Sequence, residues 1–414
     1  MKILLYGINY APEITGIGKY SGEMAEWLAQ QGHEVRVITA PPYYPEWSIG
    51  TGYKSWGYLK ETINTVRVFR CPLYIPAEPK TLSRLVHLCS FALSSFPVVL
   101  RQLFWRPSIV ITVEPTFFCT PAALLLAKLS GAKSVLHIQD YELDAMLGLG
   151  MGNHGVLSTV AHAVESWSMR GFDRISSISF SMLNKANFKT HSQVPTILFP
   201  NWVDISFITP DADATIFRDK WGISEKIKVV LYSGNMGKKQ GLEMVIEAAR
   251  HFTHQADVLF IMVGTGAAFK ALKEFSKQLN LSNIKFYPLQ AYENLPNLMA
   301  LADVHLVVQK KGVADAVLPS KVTTILSAGG TALITAEAET ELGLLCANYP
   351  DIACCIEPEN LAVLCESLQL LLDKVDPQHR VINSVARGYA VHHLAKGAVL
   401  EKFENELIEL NNGR

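Results

Sequence analysis

The sequence predicts an α/β protein of two doubly wound domains, each with a parallel β-sheet covered by helices on both faces. The chain has 414 residues, too many for one ordinary hydrophobic core and enough for two. Short apolar runs alternate with helical segments along it, which is typical of parallel α/β domains. The alternation starts afresh in the second half, which favours two sheets over one.

In the first half, runs that are apolar on both faces predict strands buried between helices. The predicted strands are Ile3–Tyr6, Val35–Thr39, Val66–Arg70, Ile109–Val113, Ser134–Ile138, Arg174–Ile178 and Thr196–Phe199. The predicted helices include Tyr20–Gln31, Pro121–Leu129 and Val156–Met169. The stretch Pro41–Thr65 has no such pattern and is predicted to be irregular.

In the second half, the same pattern predicts a second sheet. The predicted strands are Lys228–Tyr232, Val258–Val263, Ile284–Tyr287, Val304–Val308, Ala332–Thr335 and Ile352–Ile356. The predicted helices are Leu242–Phe252, Ala267–Leu279, Leu295–Ala302, Val322–Ala328 and Leu361–Leu372. A single TIM barrel is the main structural rival, but it needs about eight evenly spaced βα units, and the irregular stretch fits it poorly.

The domain boundaries follow from where these patterns stop. We predict an N-terminal Rossmann-like domain of residues 1–203 and a C-terminal Rossmann-like domain of residues 204–390. The segment 391–414 contains a helix with no strand after it, and we expect it to pack back on the N-terminal domain. Open α/β sheets bind ligands at the carboxyl ends of their strands, so the two domains are expected to face each other across a cleft.

Charge and cysteine content exclude several classes of function. The net charge of −1 argues against a protein organised around nucleic acid, which requires a basic surplus. The seven cysteines are scattered, with no CxxC or metal-ligand spacing, and are interpreted as free thiols of a reducing cytoplasm. The N-terminal MKILLYGINY does not have the pattern of a secretory signal, so a cytoplasmic location is expected.

The first strand is followed by a loop that contains Gly16 and Gly18. Glycines let a backbone approach a ligand closely, and the helix N-terminus behind them favours anionic groups. Ser21 stands where G-x-G-x-x-G needs its last glycine, and Thr39-Ala40-Pro41-Pro42 replaces the acidic residue expected after the second strand. An NAD-dependent dehydrogenase is therefore disfavoured. A tight turn without a ligand is the alternative.

The corresponding loop of the second half runs from Gly234 to Gly241. Its backbone amides, together with Lys238 and Lys239, could cradle a diphosphate at a helix N-terminus. Gly264 and Gly266 form a further turn at the end of the next strand. A solvated lysine pair beside a capping turn is the alternative interpretation.

Pro319, Ser320 and Lys321 precede the predicted helix Val322–Ala328. A lysine there meets the positive end of the helix dipole, which is unfavourable unless an anion binds nearby. Lys321 is therefore the single residue that we most strongly predict to be functional.

A cluster of polar side chains lies at the carboxyl end of the strand Ser134–Ile138: His137, Asp140, Glu142 and Asp144. Such groups could orient hydroxyls of a substrate or act as a general base. For His137, a hydrogen-bonded core histidine is the simpler interpretation. Asp140 lies further out and is the better candidate, with a helix N-cap as its alternative.

The segment Leu82–Trp105 is apolar but contains Arg84 and Arg101. Its charge-free stretch is shorter than the roughly 20 residues that a membrane span needs. It is interpreted either as a core helix or as a helix that rests on a bilayer surface, and we slightly favour the surface contact.

Taken together, these motifs resemble those of the retaining GT-B glycosyltransferases of family four, over nearly the whole chain. Residues 200–207 are similar to the signature P-N-G-V-D-x-x-x-F, with Trp202 in place of glycine and with Phe207 one residue closer to the aspartate. The loop from Gly234 is similar to the donor loop G-R-x-x-x-x-K-G. Asn235 and Gln240 stand at its two basic positions, so the resemblance implies that Lys238 or, preferably, Lys239 serves instead.

The chain departs from the family at its E-x7-E motif. This motif falls at about residues 316–324, and neither glutamate is present. Thr324 stands at the second position, and Pro319, Ser320 and Lys321 are expected to supply amide and cationic contacts to the diphosphate. Gln290, at a neighbouring strand end, is expected to flank the nucleotide.

The resemblance implies transfer of a sugar from a nucleotide-sugar with retention, without a metal or other cofactor. The C-terminal domain would bind the donor and the N-terminal domain the acceptor. The residues expected to be catalytic are Lys239, Lys321 and Asp140. The residues expected to bind the donor are Gly16, Gly18, Gly234, Asn235, Lys238, Gly264, Gly266, Gln290, Pro319, Ser320 and Thr324.

Runs such as YGINY, HIQDYE and ADAVLPSK are similar to those of exopolysaccharide-building members. They imply GDP-fucose as donor and a polyprenyl-diphosphate-linked saccharide as acceptor, at the inner face of the plasma membrane. The alternatives are a UDP-sugar transferase or a nucleotide-sugar 2-epimerase of the same fold. From another class, a non-catalytic nucleotide-sugar-binding scaffold is the alternative.

Overall fold

The computed structural model describes residues 1–13, 16–77, 81–115, 117–141, 144, 156–237, 240–312, 318–376 and 381–413. The chain divides into two compact units: unit 1 is Met1–Asn201 with Leu400–Arg414, and unit 2 is Trp202–Val399. These boundaries differ from the predicted ones at 203 and 390. Val203 belongs to unit 2 because its N–H donates to the Leu394 carbonyl (2.8 Å) and its backbone pairs with Ala395.

Unit 1 contains an eight-stranded sheet of order β3-β4-β2-β1-β5-β6-β7-β8. The strands are β1 Lys2–Tyr6, β2 Glu34–Thr39, β3 Leu59–Ile63, β4 Val66–Arg70, β5 Ile109–Glu114, β6 Lys133–Ile138, β7 Arg174–Ser177 and β8 Thr196–Leu198. The described helices are α1 Gly16–Gln30, α2 Thr81–Arg101, α3 Thr120–Ser130, α4 Val156–Met169 and α5 Phe180–Thr190. Every strand predicted in the first half is confirmed to within a residue at each end.

β3 is the strand that the sequence did not predict. It pairs antiparallel with β4 at the sheet edge, inside the stretch expected to be irregular. None of its residues is buried, so it has no apolar run to signal a strand.

The order of the strands determines which helices share a face of the sheet. The chain moves from β1 to β2 in one direction, and from β4 through β5, β6 and β7 to β8 in the other. Parallel crossovers are right-handed, so α1 covers one face and α2, α3, α4 and α5 cover the opposite face. We call the outer surface of these four helices the α2–α5 face.

The C-terminal helix covers the same side as α1. It is Lys396–Asn411, and its residues from Leu400 onward belong to unit 1. The Phe403 ring stacks on Phe199 with the two ring centres 3.8 Å apart, and Glu404 accepts a hydrogen bond from the Trp27 indole (3.3 Å).

Unit 2 contains a six-stranded parallel sheet of order β11-β10-β9-β12-β13-β14. The strands are β9 Lys228–Asn235, β10 Val258–Thr265, β11 Ile284–Tyr287, β12 Val304–Val307, β13 Ala332–Thr335 and β14 Cys354–Ile356. The described α-helices are α6 Thr215–Trp221, α7 Glu243–His251, α8 Phe269–Gln278, α9 Leu295–Leu301, α10 Ser320–Ser327, α11 Glu341–Asn348, α12 Leu361–Leu372 and α13 Ser384–Tyr389. The C-terminal helix, α14 Lys396–Asn411, begins in unit 2 and belongs to unit 1 from Leu400 onward.

The core of unit 2 lies on both faces of this sheet. Val229 and Leu231 of β9 belong to one buried cluster, and Val230 and Tyr232 to the other. Because both faces are covered, the strand is a continuous apolar run rather than an alternating one.

The position of β9 within the sheet also determines where a ligand could bind. The chain runs outward from β9 to β10 and β11, then returns to the other side of β9 as β12. This reversal of strand order leaves a crevice at the carboxyl ends of β9 and β12, the usual ligand position in open α/β sheets.

Candidate functional site

A cavity of about 160 Å³ lies at the carboxyl end of β9 in unit 2. Ser233 and Gly234 line it from β9, and Ser320, Lys321 and Thr324 line it from the first turns of α10. Leu295, Met299, Ile325 and His305 are among its remaining walls. The structure thus brings together four residues that the sequence singled out: Gly234, Ser320, Lys321 and Thr324.

Three glycines allow the ends of β9 and β10 to come together beside this cavity. Gly234, Gly264 and Gly266 have φ angles of 144°, 153° and 145°, a region that L side chains rarely adopt. A Cβ atom on Gly264 would lie 1.9 Å from the Gly234 oxygen, and one on Gly266 would lie 2.4 Å from the Met236 oxygen. A side chain on Gly264 or Gly266 would separate the two strand ends, so the packing itself requires glycine at these two positions, whereas Gly234 is favoured by its φ angle.

Lys321 lies against the end of β9. Its Cδ atom is 3.8 Å from the position that a Cβ atom on Gly234 would occupy, and its ammonium lies 4.9 Å from the centre of the Tyr232 ring. Tyr232 is buried, and its hydroxyl donates a hydrogen bond to the Asn235 carbonyl (2.6 Å). The lysine is therefore held at the strand end by an aromatic face, a favourable contact for a cation.

The helix behind Lys321 adds positive potential. In the part of the chain that the structure describes, no side chain caps the first turn of α10, which begins after Pro319. Because Ser320, Lys321 and Thr324 of its first turns line the cavity, the positive end of the helix dipole and the Lys321 side chain border the same space, where a negative group would be stabilised.

The loop after β9 is held by its own polar groups. Gly237 donates its N–H to the Gln240 side-chain oxygen (3.0 Å), and the Asn235 side chain lies beside Gly237 and Gly266. Gln240, which stands at the lysine position of the family loop, therefore stabilises the loop. The two predicted lysines, Lys238 and Lys239, lie outside the described residues.

Lys310 is a candidate that the sequence analysis did not select. It follows β12, and its side chain crosses the backbone of Gly241, so that a Cβ atom there would lie 2.9 Å from the Lys310 Cγ. It brings a second described cation to the far end of the same loop. No sequence motif marks it, because its position depends on β12 lying next to β9 in the sheet.

The remaining predicted donor residues of unit 2 have separate surroundings. The Thr324 hydroxyl donates to the Ser320 carbonyl within α10 (2.9 Å). Gln290 follows the edge strand β11 and accepts a hydrogen bond from the Lys220 ammonium of α6 (3.1 Å). Thr324 therefore lines the cavity, whereas the side chain of Gln290 is hydrogen-bonded to α6.

In unit 1, the first loop contains its own carboxylate. Glu13 is buried and accepts hydrogen bonds from the N–H groups of Tyr43 and Tyr44 (3.0 Å each) and from the Asn9 amide (3.0 Å). A Cβ atom on Gly18 would lie 2.3 Å from the Glu13 carboxylate. The smallness of Gly18 is therefore explained by internal packing, and Gly16, with φ 59°, begins α1 beside Tyr44.

Glu13 was missed by the sequence analysis. Burial raises the pKa of Glu13, although its hydrogen bonds act in the opposite direction. A single glutamate in a loop carries no sequence signal of burial.

Of the polar cluster after β6, only Asp140 presents an exposed carboxylate among the described members. Although Asp140 is exposed, displacement of water by neighbouring atoms raises its pKa, partly offset by the Tyr141 N–H and by Arg84 and Lys185. Burial alone would raise the pKa of Asp144, but hydrogen bonds and charge from Lys185 and Lys189 outweigh it and lower that pKa. Glu142 lies outside the described residues.

His137 is confirmed as a core histidine. It is buried, its Nδ1 lies 3.0 Å from the Ser176 hydroxyl, and its ring packs near Phe199 with the ring centres 5.0 Å apart. It therefore cannot contact a substrate at the strand end.

One described group has the composition of a metal site. Ligand atoms of Asp144, His162 and Glu165 lie within 4.8 Å of one another in unit 1. Both carboxylates are already bound by the ammonium of Lys189, and Asp144 also by Lys185. These lysine charges oppose the binding of a cation there.

Comparison with known proteins defines the class to which this fold and site belong. A glycosyl transferase 4-like domain matches residues 15–202, and a glycosyl transferases group 1 domain matches residues 213–387. The chain belongs to this family and is a glycosyltransferase with two parallel-sheet α/β domains of the GT-B type.

The chain is 52% identical to the Escherichia coli K12 protein named "Putative colanic acid biosynthesis glycosyl transferase WcaI", over 98% of this chain and 100% of that one. Among solved structures, it is similar to sucrose-phosphate synthase from Thermosynechococcus elongatus (TM-score 0.70, 14% identity, 100% of each chain). It is also similar to Anabaena HepE in complex with UDP (TM-score 0.68, 14% identity, 99% of this chain and 100% of that chain).

The close approach of β9 and β10 predicts that Gly264→Ala destabilises unit 2. The new methyl group would meet the Gly234 carbonyl and require a φ angle that alanine disfavours, so we expect a loss of about 3 kcal/mol in the free energy of unfolding. Gly388→Ala is the matched control, because nothing lies within 4 Å of its Cβ position and it is helical; it should be neutral or stabilise by up to ~1 kcal/mol. Urea denaturation measures both, and equal stability of the two variants would contradict the proposed role of Gly264.

The burial of His137 predicts a pH dependence of stability. Burial lowers the pKa of His137 to about 3, below its ordinary value of 6.5. The folded-state pKa is depressed, so the stability due to the neutral imidazole is complete above pH ~6.5 and is lost as pH falls toward ~3. His137→Gln should remove about 2 kcal/mol of the difference in the free energy of unfolding between pH 7.5 and pH 5. His254→Gln, at an exposed histidine, should leave that difference unchanged; an equal change in both variants would refute the assignment.

Proposed function

We propose that the chain transfers fucose, with retention, from GDP-fucose to a polyprenyl-diphosphate-linked saccharide during assembly of the exopolysaccharide colanic acid. The polysaccharide is supported by the name of the relative with 52% identity. The donor and acceptor are supported by the resemblance of the shared sequence runs.

The observation that carries the proposal is the convergence of Lys321, the α10 N-terminus and the Gly234 strand end on one cavity. In the transfer, the bond from the anomeric carbon to the diphosphate oxygen breaks, and negative charge develops on the leaving diphosphate. Lys321 and backbone amides of the loop would stabilise that charge, and electrostatic stabilisation of this kind usually contributes most to the rate enhancement of an enzyme. The acceptor hydroxyl oxygen then bonds to the anomeric carbon on the face that the diphosphate left, and the hydroxyl proton passes to the departing diphosphate oxygen.

The other residues have the following roles in the proposal. Lys239, Lys238 and Lys310 add positive charge around the diphosphate, and Asn235, Gly264, Gly266, Pro319, Ser320 and Thr324 shape its surroundings. Asp140 contacts the acceptor, and Gly16 and Gly18 form the first loop of unit 1. No metal is required, because lysines supply the charge that a divalent cation would supply elsewhere.

The proposed location is the cytoplasmic side of the plasma membrane, where a lipid-linked acceptor would lie. Helix α2 supports this part of the proposal. Among the described residues, Leu82–Phe104 is the one helical stretch that passes for a membrane span by length and composition alone; because 33% of it is buried inside the protein, it supports a location at the membrane surface and not a span.

The donor is tested by thermal stabilisation with GDP-fucose, GDP-mannose, UDP-glucose and UDP-N-acetylglucosamine. We expect GDP-fucose, the proposed donor, to give the largest rise in melting temperature. A ligand that binds only the folded chain stabilises it, by about 2.7 kcal/mol at 100 times its Kd. A larger rise with a UDP-sugar would favour a UDP-sugar transferase. UDP is the nucleotide in the structure of the similar protein HepE. Release of an epimer without an acceptor would indicate a 2-epimerase, and binding without turnover would indicate a scaffold.

The leaving-group contact is tested with Lys321→Ala. Loss of its charge should lower kcat by about 10²–10³, the range for removal of one electrostatic group that stabilises a transition state. Lys277→Ala is the control, because Lys277 is an exposed lysine of α8 that pairs with Glu274 (3.7 Å). Both rates are measured as release of nucleoside diphosphate, and an unchanged kcat in Lys321→Ala would exclude Lys321 as the diphosphate contact.

A further inference from the structure

The α2–α5 face of unit 1 exposes large apolar side chains on all four of its helices. On α2 and the turn after it, Leu93 is 77% exposed and Phe104 is 94% exposed. The next helices contribute Leu129 of α3, Trp167 of α4 and Phe188 of α5, which are 60%, 67% and 82% exposed. Single exposed apolar residues are common, but large ones on four adjacent helices indicate a surface that contacts something apolar.

The four helices form one continuous layer. Buried side chains of α2 and α3 belong to one cluster, which includes Phe91 and Leu126. The Thr120 hydroxyl of α3 lies 2.7 Å from the Ser168 hydroxyl of α4, and the Ser166 hydroxyl of α4 donates to the Lys189 carbonyl of α5. The exposed apolar residues therefore lie on the outer side of a single layer.

The charges of this layer are almost all positive. α2, α3 and α5 contain no aspartate or glutamate, and the one glutamate of α4, Glu165, is buried and bound to Lys189. Arg101, Lys128 and Arg170 are exposed at the ends of these helices. An apolar surface bordered by arginine and lysine complements an anionic lipid bilayer, in which acyl chains lie below negative headgroups.

The helices on the other face of the sheet have the opposite character. α1 contains Glu23 and Glu26, and the C-terminal helix contains four glutamates. The difference between the two faces argues against a general surplus of surface charge, because the chain as a whole has a net charge of −1. It favours attachment by one face.

Helix α2 lies along the protein surface. Its inner side, with Phe91 and Val99, is fully buried against the sheet, and a third of its apolar stretch is buried inside the protein (33%). A helix packed in this way cannot leave the sheet to cross a bilayer without exposing the core of unit 1. On its outer side the preceding loop covers Ser94, whose carbonyl accepts a hydrogen bond from the Tyr58 hydroxyl (2.9 Å), whereas Leu93 and Phe104 remain exposed and could insert into the headgroup region.

We propose that the α2–α5 face docks unit 1 on an anionic bilayer, with Leu93, Phe104, Trp167 and Phe188 at the level of the upper acyl chains. The α2–α5 face would explain how the chain reaches the membrane location given under the proposed function, and the docking proposal rests on that location. It does not depend on which donor is used.

Flotation of the full-length chain with vesicles tests the proposal. One set contains phosphatidylethanolamine with phosphatidylglycerol, and the other contains phosphatidylcholine alone. We expect binding to the first set, weakened by salt, and little binding to the second. Leu93→Glu and Phe104→Glu should each weaken binding by about tenfold or more, because each removes an inserted apolar side chain and adds a repelled charge.

The matched control is Ile408→Glu, at an exposed apolar residue of the C-terminal helix on the other face. It should float as the unchanged protein does. Arg101→Glu and Lys128→Glu should each weaken binding to anionic vesicles by about fivefold or more. All five positions are solvent-exposed, so the variants should fold, which circular dichroism checks.

Three results would overturn the proposal. One is a chain that stays in the soluble fraction with both vesicle sets, and another is equal weakening by Ile408→Glu. The third is a dimer in size-exclusion chromatography that Leu93→Glu dissociates, since the face would then bind a second copy of the chain. Thermal stabilisation by GDP-fucose is measured on the same samples, so failure of the donor assignment is seen separately from failure of docking.

Discussion

The candidate site depends on the contact between the ends of β9 and β10. Gly264 lies directly beside Gly234 in the register of the two strands, and no side chain fits between them. Because the strands remain together to their last residues, the loop after β9 begins at a fixed point of the sheet. Lys321 can then rest on Tyr232 and reach the same point from α10. Removal of this contact would displace the loop, the lysine and the cavity together.

The two units use the same strand–loop–helix arrangement for different purposes. In unit 1 the loop after β1 is filled by the buried Glu13 carboxylate, which occupies the space beside Gly18. In unit 2 the loop after β9 is bordered by Lys310 and Lys321. A bound diphosphate would be repelled by the carboxylate and attracted by the lysines. This difference in charge supports the proposal that unit 2 binds the donor.

The departures from the family motif have a consistent physical explanation. Thr324, which stands at the second glutamate position of the E-x7-E motif, lines the cavity. Gln240, which stands at the lysine position of the donor loop, accepts a hydrogen bond from the Gly237 N–H and so stabilises the loop. Positive charge comes instead from Lys321 on α10 and from Lys310 after β12. The positive charge is thus retained at the crevice, although the residues that supply it belong to other elements. The proposed sugar and acceptor rest on resemblance and not on these contacts.

The sequence by itself determined the two parallel sheets, since strands buried on both faces must be continuous apolar runs and such runs are visible without a structure. It also indicated Lys321, because a lysine at a helix N-terminus is unfavourable without an anion. The sequence favoured a core histidine at His137, but tertiary structure alone decided that its ring packs near Phe199. Tertiary structure alone also decided that Glu13 fills the first loop and that Lys310 crosses Gly241. It also decided that β3 pairs at the sheet edge and that one helical layer of unit 1 is apolar and basic. These features depend on which distant segments become neighbours, and a local pattern of residues contains no information on that.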